Sequence, residues 1–318
     1  MILSRARIKL DDSGKELPPE GTEAFNLTVN EGYIQQYIAG YIPAHWHGEF
    51  EIFRLFSGCV DIGIGDKTYT YHAGEGCFIN ANVIHSFTAR VPERCNYRSF
   101  VLDAGIIGSV PGSVFDTKYV RPFAEYGAPI IKFSENDAVD TAFFQAFDRA
   151  FTACAEESPA YEFITRAALS EMFLAAHDKS RAAEIQKPPK VQEERLKLMI
   201  RRIEDNLDKP LTVREIADAV NICPRECQRI FKKCLHYSPI EYALRRRIFT
   251  AAEQLAATDK SVTEIALTYG FSSPSYFTKQ FKALVGVSPA AYRSAVRSSG
   301  SDVAHAYDGL TTYGNAYG

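Results

Sequence analysis

Thr212-Val213-Arg214-Glu215-Ile216-Ala217 returns as Ser261-Val262-Thr263-Glu264-Ile265-Ala266, at an offset of 49 residues. Further along, Arg229-Ile230-Phe231-Lys232 returns as Lys279-Gln280-Phe281-Lys282 and Ser238-Pro239 as Ser288-Pro289, at an offset of 50. One residue is therefore inserted in the turn of the second copy. Each copy opens with a capping box, Thr212 with Glu215 and Ser261 with Glu264, whose side chains satisfy the orphan amides of a helix start. The spacing predicts a short helix, then a tight turn at Asn221-Ile222-Cys223 or Gly270-Phe271-Ser272. A second helix follows over Pro224–Leu235 or Pro274–Val285, with Phe231 and Phe281 facing a core.

Short helix, tight turn and longer cationic helix make a helix-turn-helix. An α-helix fits the major groove, where base edges carry a readable pattern of donors and acceptors. Two units joined by a helix over Ser238–Leu255 could set two reading helices in successive grooves, ~34 Å apart. Charge agrees with that reading. Residues 190–297 hold 19 Lys+Arg against 12 Asp+Glu, whereas residues 1–177 hold 14 against 23. The formal charge of -3 thus hides a basic third behind an acidic half, as in a polyanion-binding domain attached to something else. The plainer alternative is a helical bundle whose repeat records duplication only.

The run Lys260-Ser261-Val262-Thr263-Glu264-Ile265-Ala266 continues through Tyr269-Gly270-Phe271-Ser272-Ser273 and Ser275-Tyr276-Phe277. Phe281-Lys282, Gly286-Val287-Ser288-Pro289 and Tyr292-Arg293 complete it. This segment closely resembles the C-terminal signature of the AraC/XylS family of bacterial transcription regulators. The resemblance implies two helix-turn-helix units reading promoter DNA, usually preceded by an effector-binding or dimerisation domain. Carried over by alignment, the base-reading positions are Arg225, Gln228 and Arg229 in the first unit and Ser275, Thr278 and Lys279 in the second. Arg225 and Arg229 lie one turn apart on one face, and a guanidinium can bond bidentately to guanine O6 and N7. The short hydroxyls of the second unit should lean more on phosphates. The first unit departs from the family pattern at three places. Cys223 replaces the usual Ser N-cap, Cys227 a larger aliphatic, and His236 the Gly that normally ends the reading helix. A thiol switch among Cys223, Cys227 and Cys234 is one reading; small buried apolar residues at Cys227 and Cys234 is the simpler one.

The chain to about Leu102 alternates Ile, Val, Phe and Tyr in short runs, predicting strands over Tyr33–Tyr41, Glu51–Phe56, Cys59–Ile64, Lys67–Tyr71, Gly76–Ile79, Val83–Ala89 and Tyr97–Leu102. Gly65-Asp66 reads as a hairpin turn, and the whole as a small sandwich or barrel. Gly40-Tyr41-Ile42-Pro43-Ala44-His45-Trp46-His47-Gly48-Glu49-Phe50-Glu51 resembles the first cupin motif, and His85 after Gly74-Glu75-Gly76 the second. His45 and His47, two apart on a strand, project to one side. With Glu51 and His85 they make the three imidazoles and one carboxylate of metal-binding cupins, a set suited to Fe, Mn, Ni or Zn. In regulators of this family the resemblance favours a small metabolite instead. The expected effector site is then His45, Trp46, His47, Glu51 and His85, with Tyr37 nearby, suited to a sugar or hydroxylated acid. No cofactor is assigned in that reading. A metal-dependent cupin enzyme, or a metal sensor, fused to a DNA-binding domain is the competing one.

Val139, Phe143, Phe147 and Phe151 recur every four residues, predicting an amphipathic helix over Asp137–Cys154. A second is expected over Pro159–His177. Their Phe-rich stripe is expected to form a homodimer face, or else to pack on the barrel of its own chain. The expected fold is α+β and multidomain: a cupin-like β-barrel or jelly roll over 1–120, dimerisation helices over 121–177, a linker over 178–193 marked by Lys187-Pro188-Pro189-Lys190, an all-α double helix-turn-helix over 194–297, and a disordered tail over 298–318. The seven scattered cysteines contain no CxxC pair and read as reduced thiols. No apolar run nears the ~20 residues of a membrane span, and the N-terminus lacks the apolar stretch of a secretory signal. The expectation is a cytoplasmic, homodimeric transcription factor, not an enzyme, that binds promoter DNA without contacting a membrane. If it is an activator, as the family suggests, RNA polymerase is a further partner.

Overall fold

The computed structural model describes residues 2–3, 25–90, 94–182 and 190–298. Ten strands form the N-terminal half: β1 Ile2–Leu3, β2 Leu27–Tyr33, β3 Tyr41–His45, β4 Phe50–Leu55, β5 Cys59–Ile64, β6 Lys67–His72, β7 Glu75–Ile79, β8 His85–Ala89, β9 Asn96–Leu102 and β10 Ile130–Ser134. They make a six-stranded sheet, β1-β2-β9-β4-β7-β10, facing a four-stranded sheet, β3-β8-β5-β6. Three layers result. Phe53, Leu55, Cys77, Ile79 and Tyr97 from the larger sheet meet Ile42, Val60, Ile62, Tyr71 and Phe87 from the smaller one. On its other face the larger sheet presents Leu27, Val29, Phe50, Ile52, Phe78 and Phe100 to a helical layer. Strand β4 is buried along its whole length because it sits between both cores.

Two short helices, α1 Gly105–Gly108 and α2 Arg121–Tyr126, lead to α3 Thr141–Glu156 and α4 Tyr161–Ala182. Phe143, Phe147 and Phe151 are buried against the chain's own sheet, with Phe147 in edge-to-face contact with Phe100 and Phe143 stacked on Phe133. Each such ring contributes roughly 1.5–3 kcal/mol by leaving water. The stripe expected to serve as a dimer face is thus spent inside the protomer, the second of the two outcomes. Val139, which opens that periodicity, lies before α3 and is exposed. The outward side of α4 keeps Phe163, Ile164 and Leu174 exposed.

Three boundaries differ from the sequence reading. The first expected strand, Tyr33–Tyr41, is two 3-10 turns instead, Ile34–Gln36 and Ile38–Gly40, and the left-handed Ala39 (φ 57°) and Gly40 (φ 61°) interrupt extended backbone just before β3. The sheet is not finished at residue 120, since β10 pairs antiparallel with β7. Helices occupy much of the expected linker: α4 runs to Ala182 and α5 covers Lys190–Glu204. Residues 183–189, and the tail from 299, lie outside the described residues. The C-terminal half continues with α6 Val213–Asp218, α7 Pro224–Leu235, α8 Pro239–Ala257, α9 Val262–Thr268, α10 Pro274–Val285 and α11 Pro289–Ser298. Both capping boxes form, and a third, Ser238 with Glu241, opens α8.

Candidate metal centre and nucleic-acid interface

His45, His47, Glu51 and His85 converge, each buried, with one ligand atom from each lying within 4.8 Å of the others. Local chain geometry explains the convergence. Ile42 and His45 are an odd number of residues apart yet line the same cavity, because the β3–β8 register shifts between them. Glu51 projects inward from β4 while its neighbours Phe50 and Ile52 face the helical layer. His85 opens β8 opposite His45.

Each imidazole is oriented by a carbonyl two residues away: His45 Nδ1 lies 2.8 Å from Pro43 O, His47 Nδ1 3.0 Å from Glu49 O, and His85 Nδ1 2.9 Å from Val83 O. A carbonyl only accepts, so Nδ1 carries the hydrogen and Nε2 is the inward nitrogen with the lone pair. Yet His85 Nε2 stands 3.1 Å and His47 Nε2 3.4 Å from Glu51 Oε2, another acceptor. A neutral ring cannot donate from both nitrogens. An added proton, on an imidazole or on the carboxyl, or a cation shared between Nε2 and the carboxylate, resolves the clash. Burial, with His85 and His47 beside it, pushes the His45 proton affinity well down. Burial alone would raise Glu51, but hydrogen bonds from His47 and His85 hold it below the usual carboxylate range. Three oriented nitrogens and one ionised oxygen fit a divalent transition metal.

Asn30, Tyr37, Tyr97 and Ser99 line the adjoining cavity together with His45 and Glu51, and the two tyrosine hydroxyls lie 3.1 Å apart. The cavity measures about 20 Å³, room for about one water. Trp46, expected among the effector ligands, is not there. It points to the opposite side of the chain, because it alternates with His45 and His47.

That opposite side belongs to the helical half. Ala44, Trp46 and Ile84 share one core with Met199, Ile230, Phe231 and Tyr242. The Tyr242 hydroxyl lies 3.4 Å from the Ala44 carbonyl and 3.4 Å from Glu204, whose carboxylate is clasped by Arg246 at 2.7 and 3.0 Å. Tyr41 packs on Phe249, 5.8 Å between ring centres.

On the solvent side, Arg225, Gln228 and Arg229 project from α7, and Ser275 and Lys279 from α10, all exposed; Thr278 is half-buried. The guanidinium of Arg229 is held by Glu226, Nε to Oε2 at 2.7 Å and Nη2 to Oε1 at 2.6 Å. Burial pushes the Cys227 thiol up to about 11 and raises Cys234, the direction of an unreactive thiol.

Residues 29–173 match an AraC-like ligand binding domain and residues 216–295 a helix-turn-helix domain. The HTH-type transcriptional activator AarP of Providencia stuartii is 42% identical over 91 residues, 29% of this chain and 67% of that protein. The chain belongs to the AraC/XylS family of transcriptional regulators. The HTH-type transcriptional regulator YdeC of Bacillus subtilis is 25% identical over 291 residues, covering 89% of this AraC/XylS regulator and 97% of YdeC. Among solved structures, ToxT from Vibrio cholerae covers 85% of this chain and 97% of its own, at 14% identity and a TM-score of 0.44. Among the described residues of this AraC/XylS protein, no helix is long and apolar enough to cross a membrane.

Sequence reasoning missed two groups of residues. Asn30, Ser99 and Tyr97 carry no motif and reach the cavity only through sheet pairing across distant strands. Glu226 was legible, since a carboxylate three residues before an arginine on one helix reaches it.

Proposed function

We propose that this regulator senses a divalent transition-metal ion held by His45, His47, Glu51 and His85, and that occupancy alters how the DNA-binding half is carried on the barrel. The observation that supports the reading is the two-sidedness of one short segment. His45 and His47 face the centre, while Ala44 and Trp46, between and beside them, enter the core of the first helix-turn-helix. Drawing the two imidazoles onto an ion would shift the backbone that seats Trp46. A ligand moves an equilibrium only through a difference in affinity for its two states, and here that difference would lie in how closely the four ligands approach one another. The bound ion would supply an electrostatic link between Nε2 lone pairs and the Glu51 carboxylate.

A sugar or hydroxylated acid is the second reading, favoured by the polar cavity lining of Asn30, Ser99, Tyr37 and Tyr97. A cavity of about 20 Å³ would have to open by several times to admit it. In either reading the chain works in the cytoplasm as a homodimer on promoter DNA. Arg225, Gln228 and Arg229 read bases, and Ser275, Thr278 and Lys279 contribute more to the backbone. The name of AarP favours activation, which would make RNA polymerase a partner at the promoter.

The test loads the full chain with Zn(II), Mn(II), Ni(II) or Fe(II), dialyses it, and measures retained metal and binding to a random-sequence duplex pool with and without chelator. The expected result is about one ion per chain, lost in Glu51→Ala and His85→Ala, with DNA affinity changed about fivefold or more by the metal. No retained ion, or an ion that leaves DNA binding unchanged, overturns metal sensing. A rise in melting temperature of the metal-free chain with a sugar from a metabolite panel establishes the second reading.

A further inference from the structure

Glu226 occupies the third position of α7, half-buried beside the exposed Arg229 on the face that carries Arg225 and Gln228. We infer that Glu226 is a specificity-determining residue that positions Arg229 for guanine and withholds it from phosphate. The inference rests on the reading of Arg229 as a base contact. A guanidinium has two edges that can form paired hydrogen bonds. Glu226 takes the Nε/Nη2 edge with both carboxylate oxygens. Among the described residues the end-on Nη1/Nη2 edge stays free, and that edge is a fork able to meet guanine O6 and N7. Two consequences follow from the same contact. The arginine keeps one orientation at the groove, so the bidentate geometry is formed before DNA arrives. Its positive charge is also cancelled locally, which weakens the attraction to phosphates at every sequence alike.

Helix-start chemistry alone gives another role to this residue, because a carboxylate in the first turn complements the helix dipole. That role would alter melting temperature and leave sequence preference untouched. The two roles therefore separate cleanly in a binding measurement.

The experiment enriches a preferred duplex from a random-sequence pool with the wild-type full chain. Wild type, Glu226→Gln and Arg229→Ala are then titrated with the enriched duplex and with random duplex at several salt concentrations, and folding is checked by circular dichroism. For Glu226→Gln, one additional phosphate charge becomes compensated. Random-duplex affinity then rises about eightfold at 0.1 M salt and the log–log salt slope steepens by about 0.9. Affinity for the enriched duplex changes less, so the preference falls. A preference within twofold of wild type in Glu226→Gln, with Arg229→Ala losing it, removes the role of Glu226 alone. A preference kept by Arg229→Ala removes the base-reading assignment of Arg229, and the inference with it.

Discussion

The two helix-turn-helix units share a core and differ at their ends. Ile216, Ala217, Ile230 and Phe231 in the first are buried like Ile265, Ala266, Phe277 and Phe281 in the second. The reading helix of the second unit is capped by Ser273, whose hydroxyl accepts from the Tyr276 amide at 3.2 Å, and ends on Gly286 at φ 89°. Its counterpart begins at Cys223, which makes no side-chain cap, and ends on His236 at φ 61°. Even the turns differ, Asn221 at φ 52° against Gly270 at φ 68°. The first unit therefore forgoes local stability in three places. It gains Ala44, Trp46 and Ile84 from the barrel in exchange, whereas among the described residues the core of the second receives a half-buried Ile38 from that domain. The unit with the weaker helix ends is the one that packs more of the barrel into its core.

Removing the shared ring breaks that asymmetry most directly. Trp46→Ala leaves a hole between barrel and first unit and should cost about 3–5 kcal/mol. Hydrogen exchange should rise in α6 and α7 well beyond any rise in α9 and α10. Any metal retention of the wild type should persist, because the indole lies on the side of the chain opposite His45, His47, Glu51 and His85. Equal exchange in both units would show that the barrel does not favour one of them.

A change in the turn of the second unit probes the comparison from the other side. A Cβ at Gly270 would sit 2.7 Å from the Asp208 carbonyl oxygen, in a left-handed conformation that suits glycine. Gly270→Ala should destabilise by about 2–4 kcal/mol, combining backbone strain with overpacking. The urea midpoint should fall, and exchange should now rise in α9 and α10 more than in α7, with any rise in the first unit centred on the segment 208–212 that Gly270 touches. A midpoint unchanged from wild type would mean that the turn relaxes without cost.

How far these features could be read in advance depends on whether the physics is local. Both reading helices begin and end where Pro224, Leu235, Pro274 and Val285 place them, because caps, prolines and a 3.6-residue period act within a few residues. The histidine and glutamate cluster was legible through a motif. Trp46 was misassigned because one strand segment has two partners, and sequence alternation does not say which side faces the cavity and which a second domain. The Phe stripe on α3 was equally ambiguous: periodicity reports a buried face without reporting what buries it. Strand β10 escaped notice since Ile130–Ser134 is too short for its alternation to stand out, and only pairing with β7 fixes it.

The smallest effects sharpen the comparison most, because they convert one unit toward the other. Cys223→Ser should supply the missing cap and add about 0.5–1 kcal/mol, a cysteine being a poor acceptor for the second or third amide of the helix. His236→Gly should add roughly 1 kcal/mol by relieving a left-handed conformation that costs a side chain, offset in part by the entropy of an unfolded glycine. Lys232, whose amine reaches the His236 carbonyl at 3.1 Å, can keep that contact in the variant. Combined, the two changes should raise the melting temperature by a few degrees. If weak ends are what lets the barrel rearrange the first unit, the doubly substituted chain should also respond less to metal in DNA titrations than wild type. A stabilised chain with an undiminished response would separate end stability from signalling, and would leave the packing of Ala44, Trp46 and Ile84 on the first unit as the connection to test next.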